Sequence, residues 1–157
     1  MEIKKILSLN FDEAEKRYIK YIVIHYTGMK NQKIAIQRLQ SRIVKVSTHY
    51  LISKKGKIYQ MVEDKNIAWH AGKSKFGKDV NLNSKSIGIE LVNNGKEEFN
   101  LKQIKNLCNL IKLLKNKYKI EKKYVLGHEH IAPERKFDPG KFFPWGYLAK
   151  KNLSKIH

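Results

Sequence analysis

The sequence predicts an α/β domain: one β-sheet layer with helices packed on its faces. Three observations carry this. Short runs rich in β-branched and aromatic residues alternate with segments of helical period, as in a sheet covered by helices. One helical segment, residues 100–118, carries a long apolar stripe. The chain has 157 residues, 41% hydrophobic and 10% aromatic, enough for one domain with a sizeable core and too few for much else.

The elements follow in order. Residues 21–26 (YIVIHY) are β-branched and aromatic and read as a buried strand, which Gly28 breaks. Residues 32–44 carry Ile34, Ile36, Leu39, Ile43 and Val44, a moderate helical pattern. Residues 48–53 and 57–62 are two strands around a Lys54-Lys55-Gly56 hairpin turn. Residues 86–92 (SIGIELV) form another strand, ended by Asn93-Asn94-Gly95. In residues 100–118, Leu101, Ile104, Leu107, Cys108, Ile111, Leu114 and Tyr118 recur every three or four positions behind Asn100, a good N-cap. Cys108 lies in that stripe and reads as a small core residue. Residues 123–127 (KYVLG) are a short strand, His128 to Gly140 a polar loop, and a last short helix starts near Pro144.

Charge and composition exclude several classes. Lys and Arg number 33 against 14 Asp and Glu, a formal charge of +19. That points to an anionic partner: nucleic acid, acidic lipid or an acidic polymer such as cell wall. One cysteine rules out a disulfide framework and a four-cysteine zinc site. No apolar run is long enough to span a bilayer, and the N-terminus lacks a secretory apolar region, so a cytoplasmic location is expected. A trimmed signal, or release to the periplasm or wall as a lysis enzyme, gives the same sequence.

Two strands deliver histidines. His25 shares a face with Tyr21 and Val23, and His128 follows the strand that stops at Gly127. Asp138 follows ten residues later, before Pro139-Gly140. Two imidazoles and a carboxylate leave a zinc ion one open position, the pattern of a hydrolytic site. Spacing alone favours two hydrogen-bonded histidines near a core edge. Glu90 ends the strand SIGIE on the face of Gly88, where poor solvation raises a carboxyl pKa toward that of a general base; pairing with a lysine is the alternative. Lys136, two residues before Asp138 on an extended segment, could stabilise an oxyanion, or be one more surface lysine. In AWHAG, Trp69 could stack on a sugar or peptide and His70 hydrogen-bond it; core packing of Trp69 is the alternative. His49 reads as structural, and His130 and His157 as surface residues.

Four blocks break these ties: VIHYTGM (23–29), STHYLIS-x-x-GKIYQMVEDKNIAWHAG (47–72), NSKSIGIELVN (83–93) and GHEHIAPERKFDPGKFFPW (127–145). In this order, over roughly residues 20–148, the sequence resembles the type 2 zinc-dependent N-acetylmuramoyl-L-alanine amidases, most of all the anhydro-muramyl-peptide amidases. That class shares its fold with phage lysozyme-type amidases and peptidoglycan recognition proteins. The resemblance implies a central mixed β-sheet flanked by helices in a single catalytic domain (20–150), with an N-terminal extension packing on it (1–19) and a C-terminal tail (151–157). It implies one Zn2+ held by His25, His128 and Asp138. Glu90 then activates water, Lys136 stabilises the oxyanion, and Trp69, His70 and Arg135 lie along the substrate groove.

The implied reaction is hydrolysis of the amide between N-acetylmuramic acid, or its 1,6-anhydro form, and L-alanine, in wall recycling or lysis. The implied partner is peptidoglycan or a muropeptide and not a specific nucleic acid, and a monomer is expected. A non-catalytic peptidoglycan-binding module is the alternative. It predicts a missing ligand or base, and both are present. Two departures stand out. GHEHIAP replaces the frequent GHSDIAP, placing Glu129 and His130 beside a ligand, and Thr48 occupies a place where phage-type members often carry tyrosine. The base role therefore rests on Glu90.

Overall fold

A computed structural model describes residues 1–157. The chain builds β1 (Ile3–Lys5), β2 (Phe11–Asp12), β3 (Tyr21–Tyr26), α1 (Gln32–Gln40), β4 (Tyr50–Ile52), β5 (Ile58–Gln60), β6 (Ile67–Ala68), β7 (Lys75–Phe76) and β8 (Asp79–Val80). There follow β9 (Ser86–Leu91), α2 (Leu101–Tyr118), β10 (Val125–Gly127), α3 (His128–Ile131) and α4 (Trp145–Lys150). Six strands form one sheet in the order β1-β5-β4-β9-β3-β10. Every neighbouring pair is parallel except β4–β5, so the sheet is mixed, as expected.

The antiparallel pair is the hairpin. Gly56 takes φ +79° at its turn and donates its N–H to Ser53 O at 2.8 Å. A Cβ there would stand 2.9 Å from Lys102 O, so the turn also lets α2 come close.

Strand alternation divides the core. Ile22, Ile24, Ile87, Ile89 and Val125 face α2 and α4, against Leu107, Ile111, Leu114 and Leu148. The opposite face receives α1 at one end, where Ala35 and Leu39 pack on Leu51, Tyr59 and Met61. At the other end Tyr21, Val23 and Leu126 pack on Ala71, Leu82 and Ile131. Between these two clusters the face is polar, and the site lies there. Each such buried aliphatic side chain contributes about 1.5–3 kcal/mol. Cys108 is a core residue as expected, its thiol pushed up to about 11 by burial.

Some elements differ from expectation. The first nineteen residues do more than pack on the domain: β1 is an edge strand, with Ile3 paired to Ile58, and β2 pairs with β6. Arg17 then enters the interior, donating to the carbonyls of Asp64, Asn66, Asn83 and Ser86. α1 stops at Gln40, leaving Ile43 93% exposed, because Ser41 is extended and Lys45 has φ +51°. The loop expected from His128 contains the short helix α3, whose N-terminus is closed by His130: its Nδ1 accepts the Gly127 N–H at 2.8 Å. His130 is thus half-buried, tilted against Trp145, and not a surface residue. An aspartate at this position could accept the same bond, which explains why histidine substitutes there. His157 is exposed, as expected.

Candidate metal centre and catalytic cleft

His25 leaves β3 on the polar face of the sheet. His128 is the first residue of α3, where β10 ends, and Asp138 returns beside it, with Glu129 N–H donating to Asp138 O at 2.9 Å. Gly127 makes room for that return: a Cβ there would meet Pro139 Cδ at 2.6 Å. The three side chains are buried and their ligand atoms converge. His25 Nδ1 lies 3.0 Å from His128 Nδ1 and 2.8 Å from Asp138 Oδ2, and His128 Nδ1 lies 3.2 Å from that same oxygen. Bonds of about 2.0–2.1 Å in a tetrahedron separate ligand atoms by about 3.3 Å, so a slight opening of this triangle accepts a zinc-sized cation.

The donor chemistry agrees. His128 Nε2 lies 3.0 Å from Ala71 O, so it carries the proton and Nδ1 keeps its lone pair. Burial pushes the Asp138 carboxyl up, but the close approach of the His128 and His25 imidazoles outweighs it and holds the group below the usual carboxylate range. Burial pushes His25 down, favouring the neutral form that a metal needs.

Glu90 sits one strand away. β9 runs parallel to β3 with Glu90 in register with His25, and Gly88 and Ser86 share its face. Its Oε2 is buried without a hydrogen-bond partner. Burial first, and the charge of Asp138 second, push its carboxyl up to about 8, with Lys136 and Arg38 pulling the other way. Lys136, half-buried, faces the same cleft of about 330 Å3, as do Trp69, Arg38 and Phe137, the last 74% exposed on the rim. Sequence reasoning missed Arg38 and Phe137: nothing in their local pattern marks them, and only the packing of α1 and the Asp138 loop brings them there.

Two groove residues differ from expectation. His70 lines the cleft, but both its ring nitrogens have protein partners, His25 Nε2 and Ser86 Oγ, each at 3.0 Å. Its hydrogen bonds are therefore not available to a ligand. Arg135 donates from Nη2 to Ala71 O and Lys73 O, each at 2.5 Å, and from Nε to Lys73 O at 3.0 Å. It pins the AWHAG loop and leaves only Nη1 without a hydrogen bond. His49 is structural, as expected: its Nδ1 accepts the Gly88 N–H at 3.0 Å. Thr48 is buried, with its hydroxyl on Gly88 O at 2.8 Å, and takes no part in the cleft.

A mixed α/β sheet that gathers two histidines, an aspartate, an unpartnered glutamate and a lysine at its strand ends has the make-up of a metal-assisted hydrolase. Residues 15–141 match the N-acetylmuramoyl-L-alanine amidase family, and the chain belongs to it. It is 37% identical to N-acetylmuramoyl-L-alanine amidase AmiD of Escherichia coli over 90% of its own length and 56% of that protein's. It is 36% identical to 1,6-anhydro-N-acetylmuramyl-L-alanine amidase AmpD of Haemophilus influenzae, covering 92% of this chain and 89% of that one. Among solved structures, AmiD in complex with anhydro-N-acetylmuramic acid-L-Ala-D-gamma-Glu-L-Lys superposes with a TM-score of 0.82 at 36% identity, covering 90% of this chain and 61% of that one. The chain thus spans little more than half of AmiD and most of AmpD.

Proposed function

We propose that this chain is a zinc amidohydrolase that cleaves the amide between the lactyl carbonyl of N-acetylmuramic acid, or of its 1,6-anhydro form, and the nitrogen of L-alanine. One observation carries the reading: an unpartnered, buried carboxylate stands one strand away from a converged His-His-Asp triangle. A purely structural site has no use for such a base. The muropeptide substrate class comes from the anhydro-muramyl peptide bound in the AmiD complex and from the names of both relatives.

His25, His128 and Asp138 would hold the ion. Bound zinc supplies Lewis acidity and a water of lowered pKa. Glu90 receives the proton of the attacking water at its free Oε2 as the new C–O bond forms. Lys136 Nζ pairs with the negative charge that develops on the carbonyl oxygen. As the C–N bond breaks, Glu90 returns the proton to the leaving α-amine of alanine. The products are a lactyl carboxylate and a peptide with a free amino terminus. Trp69 and exposed Phe137 offer apolar faces to the sugar or stem peptide along the cleft walls.

The test uses the full chain loaded with one equivalent of zinc, on intact sacculi and on soluble anhydro-muropeptides in parallel. Release of free-amino peptides from at least one substrate is expected. A preference for the soluble one assigns a recycling role, and for sacculi a lytic one. Zinc-loaded protein that binds either substrate and cuts neither is a binding module, and the proposal fails.

A further inference from the structure

A chain of three side chains runs from the metal triangle into the sheet, and its hydrogen-bond directions are determined from its far end. Ser86 Oγ lies 2.6 Å from Leu82 O. A carbonyl oxygen has no proton, so the hydroxyl donates its only hydrogen there. Toward His70 Nε2, at 3.0 Å, the same oxygen can only accept. His70 therefore carries its proton on Nε2, and its Nδ1 presents a lone pair. His25 Nε2 lies 3.0 Å from that lone pair and must donate to it. A neutral imidazole has one N–H, so His25 Nδ1 is left as an acceptor. That is the atom in the triangle with His128 Nδ1 and Asp138 Oδ2.

The geometry points to Ser86 and His70 as positioning residues that lock His25 in the tautomer with Nδ1 free for a metal ion. The inference rests on the reading of the triangle as a metal site. The lock has something to oppose: Asp138 Oδ2, 2.8 Å from His25 Nδ1, would otherwise draw the proton to that nitrogen and block it. His128 reaches the same tautomer through one backbone carbonyl, Ala71 O. For His25 the side chain of His70 takes this part, lying over Gly88 of β9, which is in register with Val23, two residues before His25. A Cβ on Gly88 would stand 2.5 Å from His70 Cγ, so the glycine of SIGIE exists to let this ring lie on the strand. The residue is fixed further by its backbone N–H, which donates to Asn83 Oδ1 at 3.1 Å.

The test compares the full-length wild type with His70→Leu, His70→Gln and Ser86→Ala. Two readouts are used: zinc affinity by chelator competition, and the ring-nitrogen NMR of His25 in metal-free protein. Wild type should show His25 protonated on Nε2. His70→Leu keeps the volume but offers no acceptor. It should move the proton to Nδ1 and weaken zinc about ten- to a hundredfold, the usual effect of losing a partner of a metal-ligating histidine. His70→Gln offers an oxygen to His25 and an amide to Ser86, and should recover most of the affinity. Ser86→Ala should give a mixture of tautomers and a smaller loss, and it decides the matter if His70→Leu does not fold. Unchanged tautomer and affinity in both His70→Leu and Ser86→Ala overturn the inference. So does equal loss in the Gln and Leu variants, which would make His70 a packing residue, and so does a wild type that binds no zinc. Neither readout uses turnover, so protein with the expected tautomer and affinity that leaves muropeptides uncut sinks the amidase reading and not this one.

Discussion

Glu90→Gln separates what the carboxylate does for chemistry from what it costs the fold. Burial and Asp138 push this group from about 4.5 in an unfolded chain to about 8 in the folded one. In the unfolded chain it has lost its proton above pH 4.5; in the fold it keeps it until about pH 8. Between those values the folded state binds more protons, so stability falls as pH rises through the window and levels off above it. At about 1.4 kcal/mol per tenfold change in proton activity, and allowing for partial exposure of the side chain, the ionised carboxylate destabilises the metal-free fold by roughly 2–4 kcal/mol at pH 8. Glutamine has the same shape and no charge. Urea unfolding of metal-free protein should give equal stabilities near pH 4 and a glutamine variant more stable by that amount at pH 8. The zinc-loaded variant should lose about 10²–10⁴-fold in turnover while still binding the metal. Equal stability of the two proteins from pH 4 to 8 would mean that the carboxylate is well solvated, and the argument for its role as a poised base would collapse.

Three further outcomes follow from the same geometry. Lys136→Met should lower kcat about 10²–10³-fold with KM and zinc affinity nearly unchanged, since it removes charge stabilisation that matters only as the carbonyl oxygen becomes negative; a change confined to KM refutes this. His130→Ala should cost about 1 kcal/mol in urea unfolding by opening the start of α3, and His130→Asp should restore it; equal losses in both would mean that Trp145 packing, not the Gly127 bond, is what counts. Raising salt from low to moderate ionic strength should weaken binding to intact wall about tenfold and change turnover of a soluble muropeptide far less; equal sensitivity of the two assays rules out a role for the excess charge in reaching the wall.

Much of the sheet was legible because its inner strands are buried on both faces and read as continuous apolar runs. YIVIHY and SIGIEL are such strands. The edge strand β1 was not, because three residues, a half-buried isoleucine and two exposed lysines, carry no pattern of their own and gain their conformation only from β5. The gathering of His25, His128 and Asp138 was readable from their motif, and the raised carboxyl of Glu90 from its place at the end of an apolar strand. His70 was placed in the groove by position but misassigned in role, because ring-nitrogen partners depend on Ser86 and on the Leu82 carbonyl. Alternation on β9 already puts Ser86 on the face of Gly88 and Glu90, and that was the available signal. Arg17 shows the opposite limit. An arginine among charged neighbours reads as surface, yet four interior carbonyls claim it.

More than half of the charge of +19 is segregated from the chemistry. Residues 100–123 and 139–157 hold twelve lysines and a single acid, Glu121. They build α2, α4 and the tail, the layer behind the sheet, whereas His25, Glu90 and Lys136 belong to its front. A cavity of about 690 Å3 lies in that rear layer, lined by Lys105, Lys112, Lys115 and Lys151 and by none of the residues of the cleft. Lys105, Lys112 and Lys151 have no carboxylate partner, so their charge is directed to solvent. No rear lysine is among the charges that tune Glu90. That falls to Lys136 and Arg38, which oppose the effects of burial and Asp138 from within the cleft itself. A polyanion held on the rear face would leave the cleft open.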